Sequence, residues 1–310
     1  MTHKTILFSM FSGAAAIMLL SQGHNLAVII VLTALTGLTG EFYRPASQAL
    51  LADIVPSEQR VTAFATLRVA FNAGFAFGPA TAGLLAAYGY FWLFAGDAAT
   101  SVLFGLVALL ALPRGTRNGQ RNASWSEALH VLRRDRKLHQ LLLANFAIGL
   151  VFFQLASTYG LRVTQLGFSP AVYGVIVSMN GALIVFCELP LTRLTRKFAA
   201  RRVMAVGYLL CAAGFAFNGL AHTIPALVLG MVIFTVVEMI AMPTAVAYLA
   251  NLAPPEMRGR YMGVSGLTWA MALIIGPIGG MKLFATMPTA YWILSAAMGT
   301  FAALIISRSP

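Results

Sequence analysis

Charge is what this 310-residue sequence has least of. Only 10% of the residues are charged and 59% are apolar, with a mean hydropathy of +0.81. A soluble domain carries about 25% charged residues, so an ordinary water-soluble fold is excluded. Cysteine is nearly absent. Cys187 and Cys211 both sit in apolar runs and read as small hydrophobes, not as a disulfide framework or a metal pair. The five histidines (3, 24, 130, 139, 222) have no ligand spacing, which leaves no metal centre to propose. No Ser/His/Asp grouping, phosphate-cradling loop or nucleotide fingerprint occurs, so neither catalysis nor a bound cofactor is expected. Apolar and polar residues do not alternate over ten-residue stretches, as a closed β-barrel would require.

What is present is a succession of long apolar runs. A spanning helix needs about 20 predominantly apolar residues. Ten such segments follow one another at roughly 5–23, 26–52, 61–87, 91–112, 138–160, 170–192, 203–221, 225–252, 261–285 and 290–307. The fold expected is therefore an all-α, multi-pass membrane protein. Its net charge of +12 comes from placement, not from a nucleic-acid partner. Of 21 Lys and Arg, seventeen lie in one alternate set of loops and ends, which puts residue 1, the 113–137 loop and residue 310 in the cytoplasm. Only Arg162 and Lys282 lie on the opposite side, and Arg44 and Arg68 lie inside apolar segments.

The sequence repeats itself. "RPASQALLADIVPSEQR" at 44–60 is echoed by "MPTAVAYLANLAPPEMR" at 242–258, with Pro45, Pro56, Glu58 and Arg60 matched by Pro243, Pro254, Glu256 and Arg258 at an offset of 198. The same offset carries Gly78-Pro79 onto Gly276-Pro277, His24 onto His222 and Lys4 onto Arg202. Because Arg60 and Arg258 share a side, the halves are parallel repeats about an axis along the membrane normal. They divide the chain into residues 1–112 with four helices, a central cytoplasmic loop at 113–137, and residues 138–310 with six. In this register 138–160 and 170–192 have no counterpart before residue 1. The first segment is thus equivalent to a third helix and not a signal peptide. Two readings follow: a naturally shortened protein, or an internal start within a longer frame, the latter preferred. In the loop, "SWSEALHVLRRD" predicts a short interfacial helix with Ser124 as its N-cap. Asn122 is formally a glycosylation acceptor, but it faces the cytoplasm.

Two bundles joined by a basic central loop resemble the major facilitator superfamily of secondary transporters. "GFAFGPATAG" is similar to the fifth-helix signature of its drug–proton antiporters, through Gly74, Gly78, Pro79 and Gly83, with Ala82 in place of one glycine. The resemblance implies a kinked helix in close contact with its neighbours, echoed by Gly276 and Pro277. "ADIVPSEQR" and "ANLAPPEMRGR" resemble the family's cytoplasmic loops. Where those antiporters carry a fourth-helix arginine this sequence has Thr33, so their proton-coupling residues are not carried over.

Ionisable residues inside a span are the default functional candidates, since each costs about 2.5–3.5 kcal/mol at the bilayer centre on insertion scales. They are Glu41, Arg44, Arg68, Asp97, Glu188 and Glu238. Counted from Asp53 at 1.5 Å per residue, Arg44 lies about 14 Å deep and Glu41 about 18 Å; Arg68 lies about 12 Å from Arg60 on the next helix. Arg44 and Arg68 thus share a level and need an anion, with Glu41 the nearest. A permanent Glu41–Arg44–Arg68 network locking two helices is the competing reading. Asn72 extends the Arg68 stripe. Glu238, near the midplane and without a basic neighbour on its helix, is the expected proton-exchanging group, because burial favours a neutral carboxyl. Asn145, Gln154, Tyr159 and Trp269 are expected to line the apolar part of a cavity. Glu188 is expected to neutralise Arg193 or Arg196 at a cytoplasmic gate that also includes Asp53, Arg60 and Arg258.

The function this implies is proton-coupled efflux of small amphipathic organic compounds by alternating access. The setting expected is the cytoplasmic (inner) membrane, with the lipid bilayer around a monomer. The alternatives are transport of an organic anion by Arg44 and Arg68, or an inactive fragment or membrane interaction module. An enzyme is the reading with least support.

Overall fold

The computed structural model describes residues 2–112 and 125–308, and they fold as helices. Among the described residues, ten helical segments are long and apolar enough to cross a membrane, as the ten apolar runs predict. The first group is α1 (Thr2–Leu20), α2 (Leu26–Glu41), α3 (Tyr43–Ile54), α4 (Arg60–Ala87) and α5 (Tyr90–Ala111). A short helix α6 (Trp125–Arg134) follows, with the predicted Ser124 cap, like Asn122, outside the described residues. The second group is α7 (Arg136–Phe152), α8 (Thr158–Gln165), α9 (Pro170–Thr195), α10 (Ala200–Leu220), α11 (Ile224–Leu252), α12 (Arg258–Thr286) and α13 (Pro288–Arg308).

Periodicity did not reveal two interruptions. The span at 26–54 breaks at Phe42, between α2 and α3. Pro45 has no N–H to give the carbonyl four residues back, so the ladder fails at Glu41. Ser9, fully buried on α1, repairs the break. Its hydroxyl donates to the Thr39 carbonyl at 2.5 Å and accepts from the Tyr43 N–H at 3.1 Å. The second interruption ends α7 in a 3-10 turn at Phe153–Ala156, after which α8 starts afresh.

Within the first group α1 packs on α2, α3 and α5; within the second, α10 packs on α11 and α13, and α7 on α12 and α13. Close approach in the second bundle depends on small residues. A Cβ on Gly299 would stand 3.0 Å from the Tyr208 carbonyl, and one on Gly207 would stand 2.8 Å from the Ala241 Cβ. Asp135 caps α7 by accepting from the Leu138 N–H at 2.9 Å, and its other oxygen accepts from the Tyr261 hydroxyl at 2.7 Å. Arg162 donates to the Gly219 and Ala221 carbonyls at the end of α10, where a helix terminus favours a cation.

The groups meet along one seam: α4 lies on α9 and α11, and α3 lies on α11 and α12. The turns at 55–59 and 253–257, which the repeat equates, share one end of the molecule, called here the basic end.

Candidate functional site

At the basic end the repeat becomes a physical clasp. Arg258, at the start of α12, donates to the Asp53 carboxylate at 2.5 Å and to the Ala52 carbonyl at 3.3 Å. Arg60, at the start of α4, donates to the Asn251 side-chain oxygen and, at 3.5 Å, to the Ala250 carbonyl. Offset 198 equates Arg60 with Arg258, Asp53 with Asn251 and Ala52 with Ala250. Each half therefore sends the same arginine to the same place on the other, but one acceptor is an anion and the other an amide. Arg60 also donates to Ala52 of its own half at 2.7 Å, and is 8% exposed.

Deeper in the seam lies a polar cluster. The Arg68 Nε is 2.8 Å from Glu188 Oε1 on α9, and an Nη is 3.0 Å from Glu238 Oε1 on α11. The two carboxylate side chains are 0% and 8% exposed, and the guanidinium side chain 20%. Asn180, on α9, donates to Glu238 Oε2 and to the Thr235 hydroxyl, each at 3.0 Å. Asn72 donates to the Arg68 carbonyl at 3.0 Å, one turn on along α4. The second oxygen of Glu188 is buried without a hydrogen-bond partner, and so is the Thr192 hydroxyl one turn further along α9.

Three expectations about charge partners are corrected by this geometry. Glu238 is not unpaired, because a helix of the other half supplies Arg68. Glu188 turns to that same arginine, while Arg193 and Arg196 stay exposed at the helix end. Arg44 and Arg68 do not share an anion: Glu41 pairs with Arg44 at 3.3 Å, with both side chains 60% or more exposed. The error had one source, since depth along a helix says nothing about which face meets which neighbour. Asn180 was missed although a polar amide in an apolar span, the signal that singled out Asn72, Asn145 and Gln154, was there to find it.

Residues expected to line a cavity are largely engaged in packing. Asn145 accepts from the Tyr208 hydroxyl at 3.1 Å, and the Tyr159 hydroxyl donates to the Leu227 carbonyl at 3.0 Å. Gln154 sits at the 3-10 interruption after α7 and donates to the Gly276 carbonyl at 2.8 Å. A Cβ on Gly280 would land on the Gln154 amide, so the glycines around Gly276 and Pro277 admit this side chain. Trp269 stacks edge-on against Phe152 and Phe153, with ring centroids 5.7 and 5.8 Å apart. Gly74 and Gly78 have nothing within 4 Å of a built Cβ, so the close approach expected there is not met among the described residues. Pro79 and Gly83 belong to the same helix.

A relative from Bacillus subtilis, the uncharacterized MFS-type transporter YhjO, is 28% identical over 258 residues, covering 82% of this chain and 63% of its own. A Na(+), Li(+), K(+)/H(+) antiporter of Planococcus maritimus is 25% identical over 273 residues, covering 79% and 64%. The chain thus spans just under two thirds of the length of both. Among solved structures, the human organic anion transporter MFSD10 (TETRAN) superposes with a TM-score of 0.82 at 20% identity, covering 98% of this chain and 77% of that one; it shares the fold. These are membrane transporters and not enzymes. The sequence profile described as Major Facilitator Superfamily matches residues 2–166 and again 141–310. Spanning both bundles and the loop between them, that match makes this chain a member of the Major Facilitator Superfamily.

Proposed function

We propose that this protein is a secondary active transporter that exports small amphipathic organic compounds in exchange for protons, by alternating access between its halves. The observation that carries the reading is the Arg68 cluster. One guanidinium from the first half is held by two carboxylates of the second, deep in the seam. Such a cluster has a net charge of −1 when both acids are ionised and zero when one is protonated. Removing charge from a low-dielectric site changes its energy by several kcal/mol, so protonation can bias how the halves sit.

The clasp supplies the second element of the mechanism. With Arg60 and Arg258 engaged the basic end is shut, and it must part for a molecule to enter from that side. Orientation by the positive charges makes this the cytoplasmic face of the inner membrane, with both chain ends on the same side. A monomer suffices, since each element named lies within one chain.

Arg68 is fully neutralised and Arg44 already has Glu41, so neither guanidinium is free for an organic anion. That favours a cationic or neutral amphipath over the organic-anion alternative. The test is uptake of lipophilic cationic dyes into inverted vesicles under an imposed pH gradient. Uptake that a protonophore abolishes, and that Arg68→Gln abolishes too, is expected. Absence of uptake across a dye panel, or uptake indifferent to the gradient, refutes the reading.

A further inference from the structure

The Arg68 cluster holds two carboxylates, and their surroundings are not equivalent. Glu238 is furnished as an anion: Arg68 donates to one oxygen at 3.0 Å and Asn180 to the other at 3.0 Å. An ionised carboxylate only accepts, and hydrogen bonds to both oxygens favour that form. Glu188 receives Arg68 on one oxygen at 2.8 Å, while the other is buried with nothing donating to it. A buried ionised oxygen left unpaired is among the costliest arrangements in a protein, whereas a neutral hydroxyl in its place costs about 1–3 kcal/mol. The Thr192 hydroxyl is a second buried orphan, four residues on and so on the same helical face. A carboxyl O–H and a hydroxyl acceptor on one helical face can answer each other through one bridging water.

Charge balance leads to the same place. One guanidinium against two carboxylates leaves −1, which one proton removes. The elements packed against α9 are α4, α8 and α11. Their charged side chains are Arg60 and Arg68 on α4, Arg162 on α8 and Glu238 on α11. Arg60 is committed to the clasp and Arg162 to the end of α10, so Arg68 and Glu238 are what Glu188 faces. The further titratable hydroxyl and thiol groups are Tyr173 on α9, bonded to the Leu155 carbonyl, the exposed Cys187 beside Glu188, Tyr159 on α8, bonded to Leu227, Tyr248 on α11, and Cys211, buried on α10, which packs on α11.

We infer that Glu188 carries the exchangeable proton of this cluster as a neutral carboxyl, while Glu238 is the fixed counter-anion of Arg68. Release breaks the O–H bond at Glu188 Oε2 and passes the proton to water along the Thr192 side of α9, about 10 Å from the helix end at 1.5 Å per residue. The carboxylate left behind gives the cluster its net −1, which a cationic group of the cargo can offset. This inference rests on the transport reading for its purpose but not for its measurement.

Infrared spectroscopy of the purified full chain tests it through the C=O stretch of a protonated carboxyl at neutral pH. The band is expected in the wild type and in Glu238→Gln, and lost in Glu188→Gln. If Glu188→Gln does not yield folded protein, Glu188→Asp serves instead, since it keeps the acid and moves the band. A band that survives Glu188→Gln, ignores Glu188→Asp, or disappears only in Glu238→Gln overturns the assignment. A band that behaves as expected in a protein that moves no dye under a pH gradient upholds the proton site and refutes the transporter.

Discussion

Removing the charge from one arm of the clasp is expected to open the basic end. In Asp53→Asn, Arg258 keeps its bond to the Ala52 carbonyl at 3.3 Å but loses its anion. The Arg258 and Asp53 side chains are 15% and 22% exposed, between a surface pair and a buried one. Surface pairs contribute about 0–1 kcal/mol and breaking a buried pair costs about 3–5 kcal/mol. A loss of about 1.5 kcal/mol is therefore expected, roughly a tenfold fall in the ratio of closed to open molecules. The complementary change, Asn251→Asp, gives the buried Arg60 the carboxylate its repeat mate already has, and shifts the ratio about as far the other way. Spin labels on Ser57 and Pro255, equivalent positions on exposed turns, report the gap in liposomes by pulsed electron resonance, with Cys187 and Cys211 replaced by serine. Asp53→Asn lengthens the distances, Asn251→Asp shortens them, and the double exchange returns toward the wild type. Identical distributions in both single variants would refute the clasp as the closure.

Two further outcomes follow from packing and charge. Arg68→Gln strands the buried Glu238 carboxylate without its cation and lowers stability by about 3–5 kcal/mol, read as a fall in thermal unfolding temperature; adding Glu238→Gln recovers part of it, and no recovery would mean the two groups do not act together. Gly299→Leu forces a side chain against the Tyr208 carbonyl and costs about 1–3 kcal/mol, whereas Gly78→Ala, with open space around it, changes the unfolding temperature little; equal losses in the two would contradict this packing.

The spans were legible because a bilayer demands about 20 apolar residues each, and composition alone satisfies that test. The repeat was legible because Pro, Glu and Arg at fixed spacing survive in both halves. What the sequence did not disclose was rotation. Depth placed Arg68 near Arg44, but Arg68 faces α9 and α11 while Arg44 faces outward beside Glu41. The break at Phe42 was equally hidden: Pro243 sits at the equivalent place in α11, and there the helix continues unbroken. Proline permits a break, and the neighbouring Ser9 hydroxyl makes one tolerable at Phe42.

The charges that cross the seam fall into two kinds, and the difference is functional on the reading given above. The clasp is symmetric: each arginine has a mate, and each reaches the mate's own helix end. The Arg68–Glu238 pair has no mate, since at offset 198 Arg68 falls on Gly266 and Glu238 on Gly40. A symmetric contact suits a closure that must form and part as the halves rock about their common axis. An unpaired cluster suits the element that decides when, because its charge changes on one side only. Both span the seam, so on that reading opening at the basic end also strains the contacts of Arg68 with Glu188 and Glu238. The transport reading therefore couples the protonation state of the cluster to the opening of the clasp. Asp53→Asn should accordingly alter the pH at which the Glu188 carboxyl band titrates, although the two sites share no residue; an unshifted titration would separate them.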